Sequence, residues 1–502
     1  METSFSILLV AGVSAPFLCA ALIALFWPCI GEKSARALSA AFSGISLAAA
    51  LVLWGVYMAN YGLNIGFAFV TPSFMSWAGI PSMGLNGVSM PIFAMAAIVG
   101  FAAVLWAAKT DIRNPRLYFL LLMVMQGGLM GAFASTNLLW MYMFHEFALV
   151  PTFIAMSVWG GAGKRMAAMQ MAVYLTLGAL ISLIGIIAIY VQTNAASFGL
   201  QDIVLALAAL PMSDSWQSCV FALLLFGLGT LVSLFPFYTW APRTYSAAPT
   251  SFAMLHAGVL KKFGLYVLIQ AAVPLLPAGC ANWAYALAVL ALFNVVYIGL
   301  VTMAQRDLKM MVSYSSVAHM GLCFLGIASM SVLGVGGAVL LMFGHGLSVA
   351  LLFMLSNAVV NRTGEWNMLK MGGLYRQTPV LAGFFIAATL ASLGLPGFAN
   401  FWGELSILMS LWSFNPAICA VAATGIIISA IYGLRAVANI FMGEPTKELE
   451  PKFSGIKDMT VSEKIPAVIL LAALLFVGFY PKSITQPSDS DLAVVPAYNQ
   501  SK

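Results

Sequence analysis

The chain has 502 residues, of which 62% are hydrophobic and 8% charged; its mean hydropathy is +0.98 and its formal charge +6. A soluble domain carries about 25% charged residues, so this composition excludes a soluble enzyme and points to a polytopic membrane protein. No polar stretch is long enough for a large soluble domain, and residues 1–502 read as one membrane domain.

Runs of about 20 apolar residues, the length that crosses a bilayer as a helix, recur along the chain. They predict an all-α protein with spans at 5–28, 37–59, 88–108, 116–135, 138–159, 168–192, 217–237, 251–275, 283–304, 310–330, 334–359, 379–412, 416–441 and 463–480. That makes about fourteen. The first run is preceded by Glu2 and no basic residue. It lacks the positive start of a cleaved signal and is expected to remain as a helix. The seventh run ends in "LFPFYTWAPR" and the twelfth contains "LGLPGFANFWGE". Both are expected to be broken, the twelfth by Pro396 with Gly394 and Gly397.

The loops check the count. All but five of the 22 lysines and arginines fall in odd-numbered loops; the exceptions are Lys261, Lys262, Arg435, Lys482 and Lys502. One miscounted early span would scramble this asymmetry. The positive-inside rule therefore places the odd loops on the cytoplasmic side and both termini opposite, in a bacterial inner membrane or another energy-transducing membrane. The net charge is a topology signal and gives no reason to expect nucleic acid as a partner.

The two broken spans lie five apart. Interrupted helices at matching positions of two halves suggest inverted repeats around an ion path. Spans 4–8 and 9–13 would form the two five-helix units. The expected organisation is three N-terminal helices (1–115), a first half-channel (116–275), a second (283–441) and a last helix (463–480).

Few ionisable residues fall inside the runs. Glu146 lies in the fifth, Lys261 and Lys262 in the eighth, Glu404 in the twelfth and Arg435 in the thirteenth. All four histidines, His145, His256, His319 and His345, also lie in apolar runs. A carboxylate at mid-bilayer costs about 2.5–3.5 kcal/mol on insertion scales, so such residues mark function by default. Removing a charge from water penalises its ionised form, and histidine titrates near neutrality. A Glu, Lys and His series can therefore hand on protons at similar free energies. In "VSYSSVAHMG", Ser315, Ser316 and His319 share nearby helix faces.

Plainer readings stand beside these. Glu146 could lock two helices by pairing with a buried cation. Lys261 or Lys262, about 100° apart on a helix, could snorkel to the interface. His145 and His256 read as packed or hydrogen-bonded helix residues, and Arg435 as a local anchor. The six cysteines form no C-x-x-C pair and read as small buried hydrophobes, so neither zinc nor an iron–sulfur cluster is expected. No glycine-rich nucleotide or phosphate loop is found, so no cofactor is expected in this chain.

Several longer pieces resemble one family. "GLNGVSMP", "FHEFALVPTFIAMSVWGG", "FPFYTWAPRTYSAAPTSFAMLHAGVLKKFGLY", "QRDLKMMVSYSSVAHMGLCFLGI", "GHGLSVALLFMLSNAVVNRTG" and "LPGFANFWGEL" cover most of the chain. Together they resemble subunit M of bacterial NADH:quinone oxidoreductase, the homologue of mitochondrial complex I subunit 4. Several of the motifs are shared with the subunits of Mrp cation/proton antiporters and membrane hydrogenases. The glutamate after "FWG" is more like subunit M than its paralogues, which usually carry lysine.

The resemblance implies a proton-translocating subunit driven by electron transfer elsewhere in the assembly. FMN, iron–sulfur clusters and quinone would belong to partner subunits, and neighbouring antiporter-like subunits, protons and lipid are the implied partners. Glu146 matches the fifth-span glutamate, Lys262 the central lysine, His319 and His345 the connecting histidines, and Glu404 the residue toward the exit. Alternatives are an Mrp-type antiporter or membrane hydrogenase subunit, or a structural subunit whose path has decayed.

The departures cluster in the first half. Leu231 stands where the family has a seventh-span lysine, Tyr238 and "APRTY" replace motifs with histidine and "LPDAH", and Asn86 replaces an aspartate. Either Lys261, absent from the usual motif, supplies the missing charge, or the input path is modified.

Overall fold

The computed structural model describes residues 2–60, 66–71 and 81–498; Lys502, assigned above to the tail, lies outside them. Among the described residues, thirteen helices are long and apolar enough to cross a membrane. The twelfth predicted span adds a fourteenth in two pieces, Pro379–Ser392 and Ala399–Phe414. The chain is all α; only isolated bridges, such as Met83 with Ser135 and Asn137 with Gly199, interrupt the helices among the described residues.

Polar caps set many helix starts. The Asn137 side chain accepts from Leu139 N and Trp140 N at the fifth span, and Asp307 from Met310 N at the tenth. Asn415 caps the thirteenth, and Thr460 with Glu463 forms a capping box at the last. Several spans run past their predicted ends. The sixth covers Lys164–Thr193 and the eleventh Val332–Thr363. Helical hydrogen bonding runs on past the last strongly apolar residues, as through Asn361 and Arg362 at the end of the eleventh.

Small residues bring helices together. A Cβ on Gly227 would lie 2.6 Å from Ser182 N, and one on Gly403 2.7 Å from Leu341 N. Nearly every residue of the eighth span, Thr250–Leu275, and of the middle of the eleventh is buried, while the sixth and thirteenth are more open. Polar groups at mid-span on the eighth and eleventh are therefore enclosed by other helices.

Both expected breaks are present. The seventh helix, Asp214–Val232, stops at Ser233 and resumes as Trp240–Ala247 beyond a cis Phe235–Pro236 bond. The twelfth breaks where Gly394 and Gly397 take φ of +68° and +101°, a region glycine enters without penalty. The eighth departs from expectation. Its α-helix stops at Gly258, Leu260–Lys262 form a 3₁₀ turn, and a π turn follows at Leu268–Ala272. A second π turn lies at Phe293–Ile298 in the ninth. Two short helices, Leu200–Ala209 and Lys482–Ala493, were not expected, being too short to register as spans.

Loops three, five, seven, nine and eleven meet around one recess of about 470 Å³, lined by Arg113, Gly161, Ser246, Asp307 and Trp366 among others. Loops two, four and six meet around a different one, lined by Phe67, Thr136 and Ser197. Odd and even loops are thus gathered separately, as the span count requires.

Candidate functional site

The interruption of the eighth helix frees backbone carbonyls inside a region without solvent. Lys262 answers one of them: its Nζ donates to Ala257 O at 2.6 Å. The same Nζ lies 2.9 Å from His345 Nδ1 on the eleventh span. Lys262 is 0% exposed and His345 1%. A buried ammonium without such partners costs several kcal/mol. Here the carbonyl and the imidazole face it directly, and the proton between amine and ring can belong to either.

His319, on the tenth span, continues the line. Its ring centroid is 5.5 Å from that of His345. Nδ1 lies 2.8 Å from Ser315 O and Nε2 2.9 Å from Ser392 O, at the break of the twelfth span. Each ring nitrogen thus has a carbonyl acceptor, so the pocket receives an N–H at either position. Ser315 Oγ bonds Tyr432 OH at 2.8 Å.

Glu404 is 5% exposed. It shares with His319, Ser429 and Tyr432 a cavity of about 20 Å³, room for one water. Its carboxyl packs on Gly394, where any side chain would collide with it. Cys323 lies within electrostatic reach of Lys261, Lys262 and Glu404.

The first half is arranged differently. Glu146 contacts His145 Nδ1 at 3.4 Å, and its side chain is 30% exposed although its Oε1 is buried. His145 stacks on Phe263 with centroids 4.4 Å apart. Lys261, by contrast, is 1% exposed and makes no hydrogen bond. Its Nζ sits 5.4 Å from the centre of the Tyr245 ring.

Neither Lys261 nor Lys262 snorkels, since both side chains are enclosed within the bundle. Glu146 is set against His145, and Lys261 Nζ makes no hydrogen bond to it. His145 and His256 are packed on aromatic rings, His145 on Phe263 and His256 on Trp240 and Tyr245, while Nδ1 of each is buried without a hydrogen-bond partner. Arg435 does anchor locally, donating to Met303 O and Gln305 O. Leu231 is a core residue, 4% exposed.

Sequence reading missed the placement of Tyr245 beside Lys261 and His256. Tyrosine does not stand out in a membrane helix, and only the fold brings this one to the lysine. Among the described residues, no group of three His, Cys, Asp or Glu could hold a metal.

A membrane bundle with two broken spans and a buried Lys–His–His–Glu line from the eighth span to the twelfth defines an antiporter-like membrane protein. The family model for NADH:quinone oxidoreductase/Mrp antiporter transmembrane proteins matches residues 135–429. NAD(P)H-quinone oxidoreductase chain 4 1 of a Synechococcus species is 34% identical over 425 residues, covering 83% of this chain and 79% of the relative. A chain of the same description from Picosynechococcus is 33% identical, covering 93% of this chain and 88% of its own. A chain of respiratory complex I from Thermus thermophilus superposes with a TM-score of 0.83 at 26% identity, over 97% of this chain and 99% of that one. The Mrp complex from Dietzia shares the fold, with a TM-score of 0.85 at 18% identity over 99% and 98% of the two chains. The chain belongs to the NADH:quinone oxidoreductase/Mrp antiporter family, within its complex I chain 4 (subunit M) branch.

Proposed function

We propose that this chain is a proton-translocating membrane-arm subunit of a complex I-type quinone oxidoreductase, and that Glu146, Lys261, Lys262, His345, His319 and Glu404 carry or gate the protons. One observation supports the path above all others: Lys262 and His345 share a hydrogen bond, and His319 extends it to the cavity of Glu404. Each step needs only a short proton hop and a small rotation of a side chain.

Residues 116–275 and 283–441 act as two half-channels, with Lys262 at the seam between them. A proton reaching Lys262 is held as ammonium against Ala257 O. Transfer to His345 Nδ1 leaves the amine neutral. His319, with an acceptor for each ring nitrogen, takes the proton next, and the water-sized cavity delivers it to Glu404. Electron transfer in partner subunits supplies the free energy; FMN, iron–sulfur clusters and quinone belong there. The odd loops face the cytoplasm, supported by their basic residues and by their gathering around one recess.

Leu231, in place of a charged residue, favours a second reading: a membrane-arm subunit that assembles but does not pump. Replacing Glu404 by Ala in the assembled complex separates the two. Proton pumping coupled to quinone reduction is expected to fall at least tenfold, while unchanged pumping with intact assembly supports the second reading.

A further inference from the structure

The first half lacks a lysine on the seventh span, and Lys261 does not reach Glu146. A charge-bearing group there still has to be approached by protons from one side.

Three buried polar atoms without hydrogen-bond partners converge on Tyr245: its own hydroxyl, His256 Nδ1 and Lys261 Nζ. The His256 ring centroid is 5.2 Å from that of Tyr245. Lys261 Nζ is 5.4 Å from the same ring, and the three residues are at most 1% exposed. Leaving one such atom unsatisfied costs about 1–3 kcal/mol, and buried polar groups in native proteins are bonded to protein or to ordered water. Trp240 and Phe353 pack on the Tyr245 ring at 5.9 and 6.1 Å and offer it no acceptor.

A second observation points to the same place. The 470 Å³ recess between the odd loops is lined by Ser246 and Ala247, the residues directly after Tyr245, and by Ser251, five residues before His256. One short helix, Trp240–Ala247, thus carries Tyr245 of the cluster and Ala247 of the recess lining.

We infer that Tyr245, His256 and Lys261 form an internal water site that replaces the missing seventh-span lysine as the proton-loading station of the first half-channel. This rests on the pumping function proposed above. A protonated water arriving from the recess gives its proton to the neutral Lys261 amine, leaving water and an ammonium. Tyr245 OH and His256 Nδ1 hold the water by hydrogen bonds and keep their own protonation states. Tyr245 and His256 are positioning residues; Lys261 is the group that is charged and discharged.

The test uses the intact complex. A cryo-EM map that resolves ordered water is expected to show at least one water within hydrogen-bond distance of Lys261 Nζ and either Tyr245 OH or His256 Nδ1. A dry cluster, with these atoms bonded only to protein, overturns the inference whatever the pumping function is. In membrane vesicles, Tyr245→Phe keeps the ring over Lys261 and removes only the hydroxyl. Pumping per quinone reduced is expected to fall about three- to tenfold, with a raised solvent deuterium isotope effect, which a packing defect would not give. Lys261→Met is expected to lose more than tenfold. Wild-type pumping in both variants overturns the inference; the pumping function itself fails separately, by Glu404→Ala pumping normally.

Discussion

Lys262 Nζ and His345 Nδ1 are 2.9 Å apart although the residues are 83 positions apart in sequence. The contact joins the two halves of the chain at its most buried layer. It exists because the eighth helix breaks at the lysine and turns the amine toward the eleventh.

His345→Ala removes the imidazole and leaves the Lys262 ammonium with Ala257 O alone. Losing one partner of a buried charge costs about 3–5 kcal/mol, so the ammonium state is disfavoured and the next carrier is lost. Pumping per quinone reduced is expected to drop about tenfold or more. Assembly, read from co-purified subunits, should persist because the site is small and enclosed.

Gly394 holds the Glu404 carboxyl against a backbone with φ +68°. Alanine there places a Cβ in the carboxyl and costs about 1–2 kcal/mol for the left-handed conformation. Gly394→Ala is expected to lower pumping as Glu404→Ala does, without removing any titratable group. Normal pumping in that variant would show that the position of Glu404 does not matter.

Asp489 lies outside the spans, on Lys482–Ala493, packed against Gly336 of the eleventh. Burial pushes its carboxyl up to about 6 from the usual 3.8. Its folded pKa is raised, so the stability it contributes is fully present below about 3.8 and lost as pH rises through about 6. Asp489→Asn should therefore stabilise the subunit above pH 6 by about 1–2 kcal/mol, discounted for partial exposure. The difference in melting temperature between variant and wild type should grow from pH 5 to pH 8.

Much of this was legible from the chain. Long apolar runs, odd-loop lysines and the Pro396 region gave spans and breaks because bilayer insertion leaves little freedom. Glu146, Lys262, His319, His345 and Glu404 stood out because each is costly in hydrocarbon. The 3₁₀ turn at Leu260–Lys262 was not legible: nothing in "HAGVLKKFG" forces it, and it is held by Lys262 reaching back to Ala257 O. Nor was the setting of Lys261, whose neighbour Tyr245 comes from a different span. His256 read as a packed or hydrogen-bonded residue, and its ring is packed on Trp240 and Tyr245; that its Nδ1 has no hydrogen-bond partner was not legible.

The central claim is that the buried Lys262 amine passes protons between the two half-channels. Lys262→Met keeps most of the side-chain volume and removes the titrating group. Proton uptake per quinone reduced should be measured in sealed vesicles carrying the fully assembled complex, beside wild type. A loss of tenfold or more, with subunit composition unchanged, is the expected result. An unchanged ratio of protons to electrons would contradict it.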